Sequence, residues 1–338
     1  MAEYGVILWH GSGLTSPIAL QQRVSWFKSA LGSKVRRYGI KPHSSPIVTD
    51  GGDNAENAAD LADEFLELLD SDDRRMIICA DGGSGAARIA HHMCNGLITQ
   101  ERVTENIVIG ASDSSVYVLW ATISSLAMGF YGVNFMGSQE ALIEGLQRVR
   151  EWVEHPEKRM DAFVDVQNVS SVRPSSEPYT VIPMCLRTLN QITGPVRQLT
   201  LRYLKSQRCF LLVEDAYPAG DLNWIGFYED LTHMAPFIEA VAEGGGAIGF
   251  GPVPGIADRL TMTRIGYDFD PPSTAGLVRD ALRWLGVQIP AFCNVAFGHH
   301  APDYSGLVLA SGARAKITFK EDCLVLDERE GNAFGHTG

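Results

Sequence analysis

Asn106-Ile-Val-Ile-Gly-Ala-Ser112-Asp-Ser-Ser-Val-Tyr-Val-Leu119 is an apolar run that breaks at Gly110 and turns, directly after Ser112, into an amphipathic segment. The pattern predicts a strand that ends in a tight turn and presents a hydroxyl at the mouth of a helix. A serine so placed stands clear of the sheet, beside the free N–H groups of the first helical turn, which stabilise negative charge on an attacked carbonyl oxygen. The general motif of such an elbow is Gly-x-Ser-x-Gly, and this chain reads Gly110-Ala-Ser112-Asp-Ser114, without the last glycine. A serine at a strand–helix junction also serves as a plain N-cap, and the local sequence admits both readings.

Outward from this stretch, strand and helix signals alternate. Residues 4–10 read as a strand, 21–31 as a helix, 34–40 as a weaker basic strand, and Asp53 opens a helix with Glu56 in capping-box position. Residues 76–80 form a short apolar strand running into Gly82-Gly83-Ser-Gly85, followed by a helix from Ala86 and then the strand that ends at Ser112. Such alternation predicts a doubly wound, mostly parallel sheet whose functional loops lie at the carboxyl ends of the strands. Residues 116–137 carry no charge and are long enough to span a bilayer, but Gly129, Gly132 and Asn134 interrupt them, which favours a buried helix followed by a buried strand.

A charged amphipathic helix over 140–157 closes the N-terminal domain, taken as 1–165, and the polar segment 166–180 reads as a linker. Residues 181–338 then read as a mixed α/β domain with β-hairpins: strands over 209–214, 247–251 and 291–297, helices over 224–242 (broken near Pro236) and 274–285, and a hairpin over 306–326. From Glu328 the chain reads as a loose polar tail.

Composition narrows the function. The chain has 338 residues, 45% of them hydrophobic, and a formal charge of −12, which argues against a nucleic-acid polymer or an anionic membrane as partner and for a small-molecule or peptide substrate. The 6 cysteines are scattered without a CxxC pair, so they read as thiols of a reducing, cytoplasmic compartment and not as a disulfide frame or metal site. The N-terminus has no basic region of the kind a signal peptide carries. No cofactor or metal is expected.

A serine nucleophile needs a base, and the base needs an orienting group. Phe210-Leu-Leu-Val-Glu214-Asp215 runs an apolar strand into two carboxylates, and Asn294-Val-Ala-Phe-Gly298-His299-His300 runs another into two imidazoles. Either pair has a plain alternative, as a turn cap or as loop histidines. The order Ser, Glu, His is nonetheless one in which triads occur.

With these motifs in place the chain resembles the LD-carboxypeptidases, serine peptidases that include the microcin C self-immunity proteins. The likeness runs from residue 6 to about 319 and rests on the Gly82-Gly83 turn, Gly110-Ala-Ser112-Asp113, Tyr131-Gly132, Val213-Glu214-Asp215, Phe297-Gly298-His299, and downstream Pro302 and Gly312-Ala-Arg-Ala-Lys-Ile. The resemblance implies Ser112 as nucleophile, His299 as general base and then acid, and Glu214 as the group orienting His299. It implies an oxyanion hole from the backbone N–H groups of Asp113 and Gly83, and a homodimer. Asp215 and His300 are weaker candidates.

Departures fall at candidate substrate positions. Asp81, before Gly82, stands where the family's cell-wall enzymes usually carry arginine, and Tyr217 replaces a second glutamate. Pro183-Met-Cys-Leu186 replaces Gly-Gly-Asn-Leu, and Ala111 replaces an aromatic residue. Tyr131 in place of histidine leans towards the microcin-immunity branch, which acts on peptidyl or aminoacyl nucleotides. The expected function is therefore amide hydrolysis through an acyl-enzyme, on a small peptide or an aminoacyl- or peptidyl-nucleotide conjugate. The alternatives are a non-catalytic ligand-binding or regulatory protein on the same fold, and a phosphate-binding module at Gly82-Gly83-Ser-Gly85, which lacks the lysine of a P-loop.

Overall fold

The computed structural model describes residues 5–9, 25–26, 36–38, 54–70, 74–79, 85–96, 105–132, 139–155, 159–215, 223–252, 273–298 and 307–328. The chain is an α/β protein of two compact units, one of Met1–Glu154, Gln191–Thr200 and Tyr304–Gly312, the other of His155–Asn190, Leu201–Asp303 and Ala313–Gly338.

In the first unit the elements follow one another as β1 (Gly5–Trp9), β2 (Arg36–Tyr38), α1 (Asn54–Leu69), β3 (Arg75–Cys79), α2 (Ala86–Gly96), β4 (Ile107–Gly110), α3 (Ser115–Ser124), β5 (Met128–Tyr131) and α4 (Gln139–Glu154). The expected helix over 21–31 lies outside the described residues except at Ser25 and Trp26, which are helical. Strands β2, β1, β3, β4 and β5 lie side by side in that order and all pair in parallel. Strands β3 to β5 are buried throughout apart from Arg75 and Met128, which are half-buried, as strands covered by other elements require.

An aromatic cluster ties α1 and α3 to β1: the Phe65 ring lies 5.1 Å from Trp9 and 4.9 Å from Tyr117. At α4, Trp152 meets Phe130 of β5 edge-on at 5.3 Å. The uncharged segment after Ser115 is a buried helix followed by a strand, as expected through Gly132. Among the described residues no helix is long and apolar enough to cross a membrane.

The second unit carries β6 (Met160–Phe163), β7 (Gln167–Asn168), β8 (Tyr179–Cys185), α5 (Leu186–Gln191), β9 (Cys209–Glu214), α7 (Asn223–His233), α8 (Ala235–Glu243), β10 (Ala247–Phe250), α9 (Thr274–Leu285) and β11 (Ala291–Cys293); helix α6 (Gly194–Ser206) is divided between the units. After β12 (Leu309–Ser311) come β13 (Arg314–Lys320) and β14 (Cys323–Asp327). The sheet order is β6-β14-β13-β8-β9-β10-β11-β7, with β8 to β11 parallel and the flanking strands antiparallel, so this sheet is mixed.

Three sequence expectations need correction. The hairpin over 306–326 is two structures: β12 joins the first sheet, antiparallel to β5, and only β13 and β14 form the hairpin. Ser311 anchors β12 there, its hydroxyl 2.7 Å from that of Thr122 in α3. The expected strand over 291–297 ends at Cys293, because Asn294 adopts φ +60° and the Val295 N–H donates to the Phe250 carbonyl at 3.0 Å. Residues 186–206, to which the sequence reading assigns no element, form α5 and α6. A six-residue helix is too short to show a period, and Gly194-Pro195 reads as punctuation although proline is well tolerated in a first helical turn. The break near Pro236 falls between α7 and α8 as expected.

Candidate active site

Strand β4 is fully buried and ends at Gly110; Ala111 is still extended, at φ −146°. The chain then turns sharply. Ser112 has φ +56°, in the left-handed region that costs a non-glycine residue about 1–3 kcal/mol. Residues Ser112–Ser114 make a single 3₁₀ turn in which the Ser114 N–H donates to the Ala111 carbonyl at 3.2 Å, and α3 begins at Ser115. The N-cap of α3 is Ser114, so Ser112 does not occupy the plain capping position. Ser112 is half-buried, whereas Asp113, Ser114 and Ser115 are buried.

The missing second glycine has a geometric counterpart. A Cβ on Gly110 would lie 2.9 Å from the Ser114 carbonyl oxygen and 3.1 Å from the Ser114 Cβ. Positions 110 and 114 therefore face each other closely, and the glycine at 110 makes the room that the serine at 114 uses.

Two neighbours frame the elbow within the same unit. Asp113, only 2% exposed, accepts the Ala86 N–H on Oδ2 at 3.0 Å, and burial pushes its carboxyl up to about 6 against the opposing effect of that bond. Tyr131 is buried at the end of β5, in register with Gly110, and the next N–H, of Gly132, donates to the Gly110 carbonyl at 3.3 Å. Asp81, Gly82 and Gly83 lie outside the described residues.

In the second unit β9 delivers Glu214, 3% exposed, and Asp215, 4% exposed, at its carboxyl end. The two carboxylates are in different situations. Asp215 Oδ2 accepts the Arg187 N–H at 2.9 Å and lies 3.7 Å from Arg187 Nε, so it caps the start of α5. Burial pushes the Asp215 carboxyl up to about 6, with the Arg187 charge and N–H opposing it.

Glu214 is enclosed by glycines. A Cβ on Gly251 would come to 2.7 Å from the Glu214 Cβ, and a Cβ on Gly298, at φ +77°, would overlap the Glu214 carboxyl group. Sequence reading used Gly298 only as part of a motif and did not see Gly251 as functional; its signal is the Gly-Phe-Gly run at the end of β10. Glu214 is thus held beside the residue that precedes His299. His299, His300 and Tyr217 lie outside the described residues.

Cys185, paired with Glu214 across β8 and β9, is no rival nucleophile, because burial and the charges of Asp215 and Glu214 drive its thiol far towards the protonated form. Among the described residues no group of His, Cys, Asp and Glu is arranged to hold a metal ion.

Residues 11–132 match the peptidase S66 family, described as the LD-carboxypeptidase N-terminal domain. A search of curated proteins finds no match. Among solved structures, a muramoyltetrapeptide carboxypeptidase from Oxalobacter formigenes is similar over 95% of this chain and 97% of its own, at 17% identity and a TM-score of 0.59. An MccF-like protein from Bacillus anthracis str. Ames is similar over 96% of this chain and 97% of its own, at 15% identity and a TM-score of 0.60. Likeness at this identity bears on the fold, which extends over both units. Residues 11–132, the stretch that includes the elbow and the Tyr131-Gly132 turn, are similar to the N-terminal domain of the LD-carboxypeptidase family.

Proposed function

We propose that the protein is a serine hydrolase that cleaves an amide bond of a small peptide or of an aminoacyl- or peptidyl-nucleotide conjugate through an acyl-enzyme. The observation that carries this reading is the backbone of Ser112: a strained φ of +56° on a half-buried serine, between a buried strand and a buried helix, is what a nucleophile elbow requires and a capping serine does not.

In this reading Ser112 Oγ attacks the carbonyl carbon while His299 takes its proton. The N–H groups of Asp113 and Gly83 receive the oxyanion. Collapse expels the amine, which takes the proton back from His299, and a water deprotonated by His299 then releases the acid and restores Ser112. Glu214 fixes the tautomer and orientation of His299; its seat against Gly298 supports that assignment. Asp81, Gly82, Tyr131 and Tyr217 are assigned to substrate recognition.

A doubly wound first sheet, with helices on both of its faces, is part of the reading, and the order of β2, β1, β3, β4 and β5 supports it. A homodimer and a cytoplasmic setting are also part of the reading. None of the six cysteines is in a disulfide, which favours a reducing compartment.

The test is turnover of two substrates, a muropeptide with an L,D bond and an aminoacyl-sulfamoyl adenosine, by the protein and by Ser112→Ala. Hydrolysis of either that the substitution lowers by at least about 10³-fold is expected. Tight binding of both without turnover would overturn the reading in favour of a ligand-binding protein.

A further inference from the structure

Helix α2 begins at Ala86 without an acidic residue in its own first turn. The negative group that a helix N-terminus favours comes instead from Asp113, 27 residues away in sequence, whose Oδ2 lies 3.0 Å from the Ala86 nitrogen. Both partners are buried, Ala86 completely and Asp113 to within 2% exposure, so water does not compete for the bond. Asp113 is also the residue directly after the strained Ser112, and Ala86 is the third residue after Gly83.

We propose that the Asp113 side chain is a positioning residue. By holding the Ala86 N–H it pins the nucleophile elbow to the start of α2, and so fixes the backbone donor at Asp113 that receives the oxyanion. The inference rests on the assignment of Ser112 as nucleophile. A donor displaced by about 1 Å costs on the order of 10²-fold in rate while leaving ground-state binding nearly untouched, which sets the expected signature.

The experiment is phosphonylation of the full-length protein by a fluorophosphonate probe, in which the P–O bond to Ser112 Oγ forms as the P–F bond breaks, fluoride leaves and His299 takes the serine proton. The maximal labelling rate and the probe's half-saturation are measured separately, and Ser112→Ala identifies the labelled residue. Asp113→Ala should lower the maximal rate by about 10- to 100-fold with half-saturation unchanged, and Asp113→Asn, which keeps an acceptor oxygen, should recover part of the loss.

Ala86→Pro removes the same N–H from the other side, at a helix position that tolerates proline, and keeps the test in force if Asp113→Ala does not fold. It should match Asp113→Ala, and the double variant should lose no more than either alone. Folded variants that label within twofold of the wild type overturn the positioning role and leave the nucleophile assignment standing. A wild type that is not labelled at Ser112 overturns both.

Discussion

The carboxyl group of Glu214 occupies the space into which a Cβ on Gly298 would project. The relationship links two segments far apart in sequence, the end of β9 and the loop after β11, and it sits one residue before His299. Gly298→Ala would have to displace that carboxyl and also hold alanine at φ +77°. Loss of about 1–3 kcal/mol of stability is expected from the overlap, with a fall in kcat larger than in Asp215→Ala. Thermal melts and turnover measure the two, and wild-type turnover in Gly298→Ala would show that the seat of Glu214 has no part in catalysis.

The two adjacent carboxylates should separate function from stability. Glu214→Gln keeps the shape but changes the group proposed to orient the base, and kcat should drop by about 10²–10⁴-fold. Asp215→Ala removes the acceptor of the Arg187 N–H, and unfolding should become easier by about 1 kcal/mol while kcat stays within a few-fold. Urea titrations together with turnover of both variants check the assignment; the reverse pattern would exchange the roles.

Strain at Ser112 makes an unusual prediction for a residue assigned to catalysis. Ser112→Gly relieves a φ of +56° that Ser112→Ala retains. Both variants should be inactive, with the glycine variant more stable than the alanine one by about 1 kcal/mol. Chemical denaturation compares them. A glycine variant less stable than the alanine variant would mean that the turn is held without strain.

Asp113 and Asp215 are both pushed up to about 6 by burial, above their unfolded range near 4. The folded chain therefore holds more protons than the unfolded chain between about pH 4 and 6. Each group contributes stability that is fully present below its unfolded pKa and is lost as pH rises through its folded one, by about 2–3 kcal/mol per group at most. Asp113→Asn or Asp215→Asn should lessen the fall in unfolding free energy between pH 4 and pH 7 relative to wild type. Denaturation midpoints across that range measure it, and parallel curves for wild type and variants would remove the assignment.

Much of the first unit is legible from local pattern. The apolar runs at β1, β3 and β4, the capping signal before α1 and the break at Gly110 each follow from residues within a few positions of one another. Periodicity and turn chemistry are local properties, so they survive without knowledge of the partners. The same holds for the break near Pro236 and for the residue types at 112, 214 and 299.

Other features depend on what distant segments touch. Nothing in Leu309–Ser311 says that it leaves the neighbouring hairpin to pair with β5, since any short apolar strand offers the same hydrogen bonds to either sheet and the choice is made by packing, here with Ser311 on Thr122. Sequence alone determined that Ser112 ends a strand, that Glu214 and Asp215 end another, and that the turn before α2 is rich in glycine. Tertiary structure alone decided that Ser112 takes a left-handed backbone, that Asp215 is a helix cap while Glu214 faces Gly298, and that Asp113 reaches back to Ala86. The division has a physical reason: backbone propensity is set by adjacent residues, whereas burial and close approach are set by whichever segments the fold brings together.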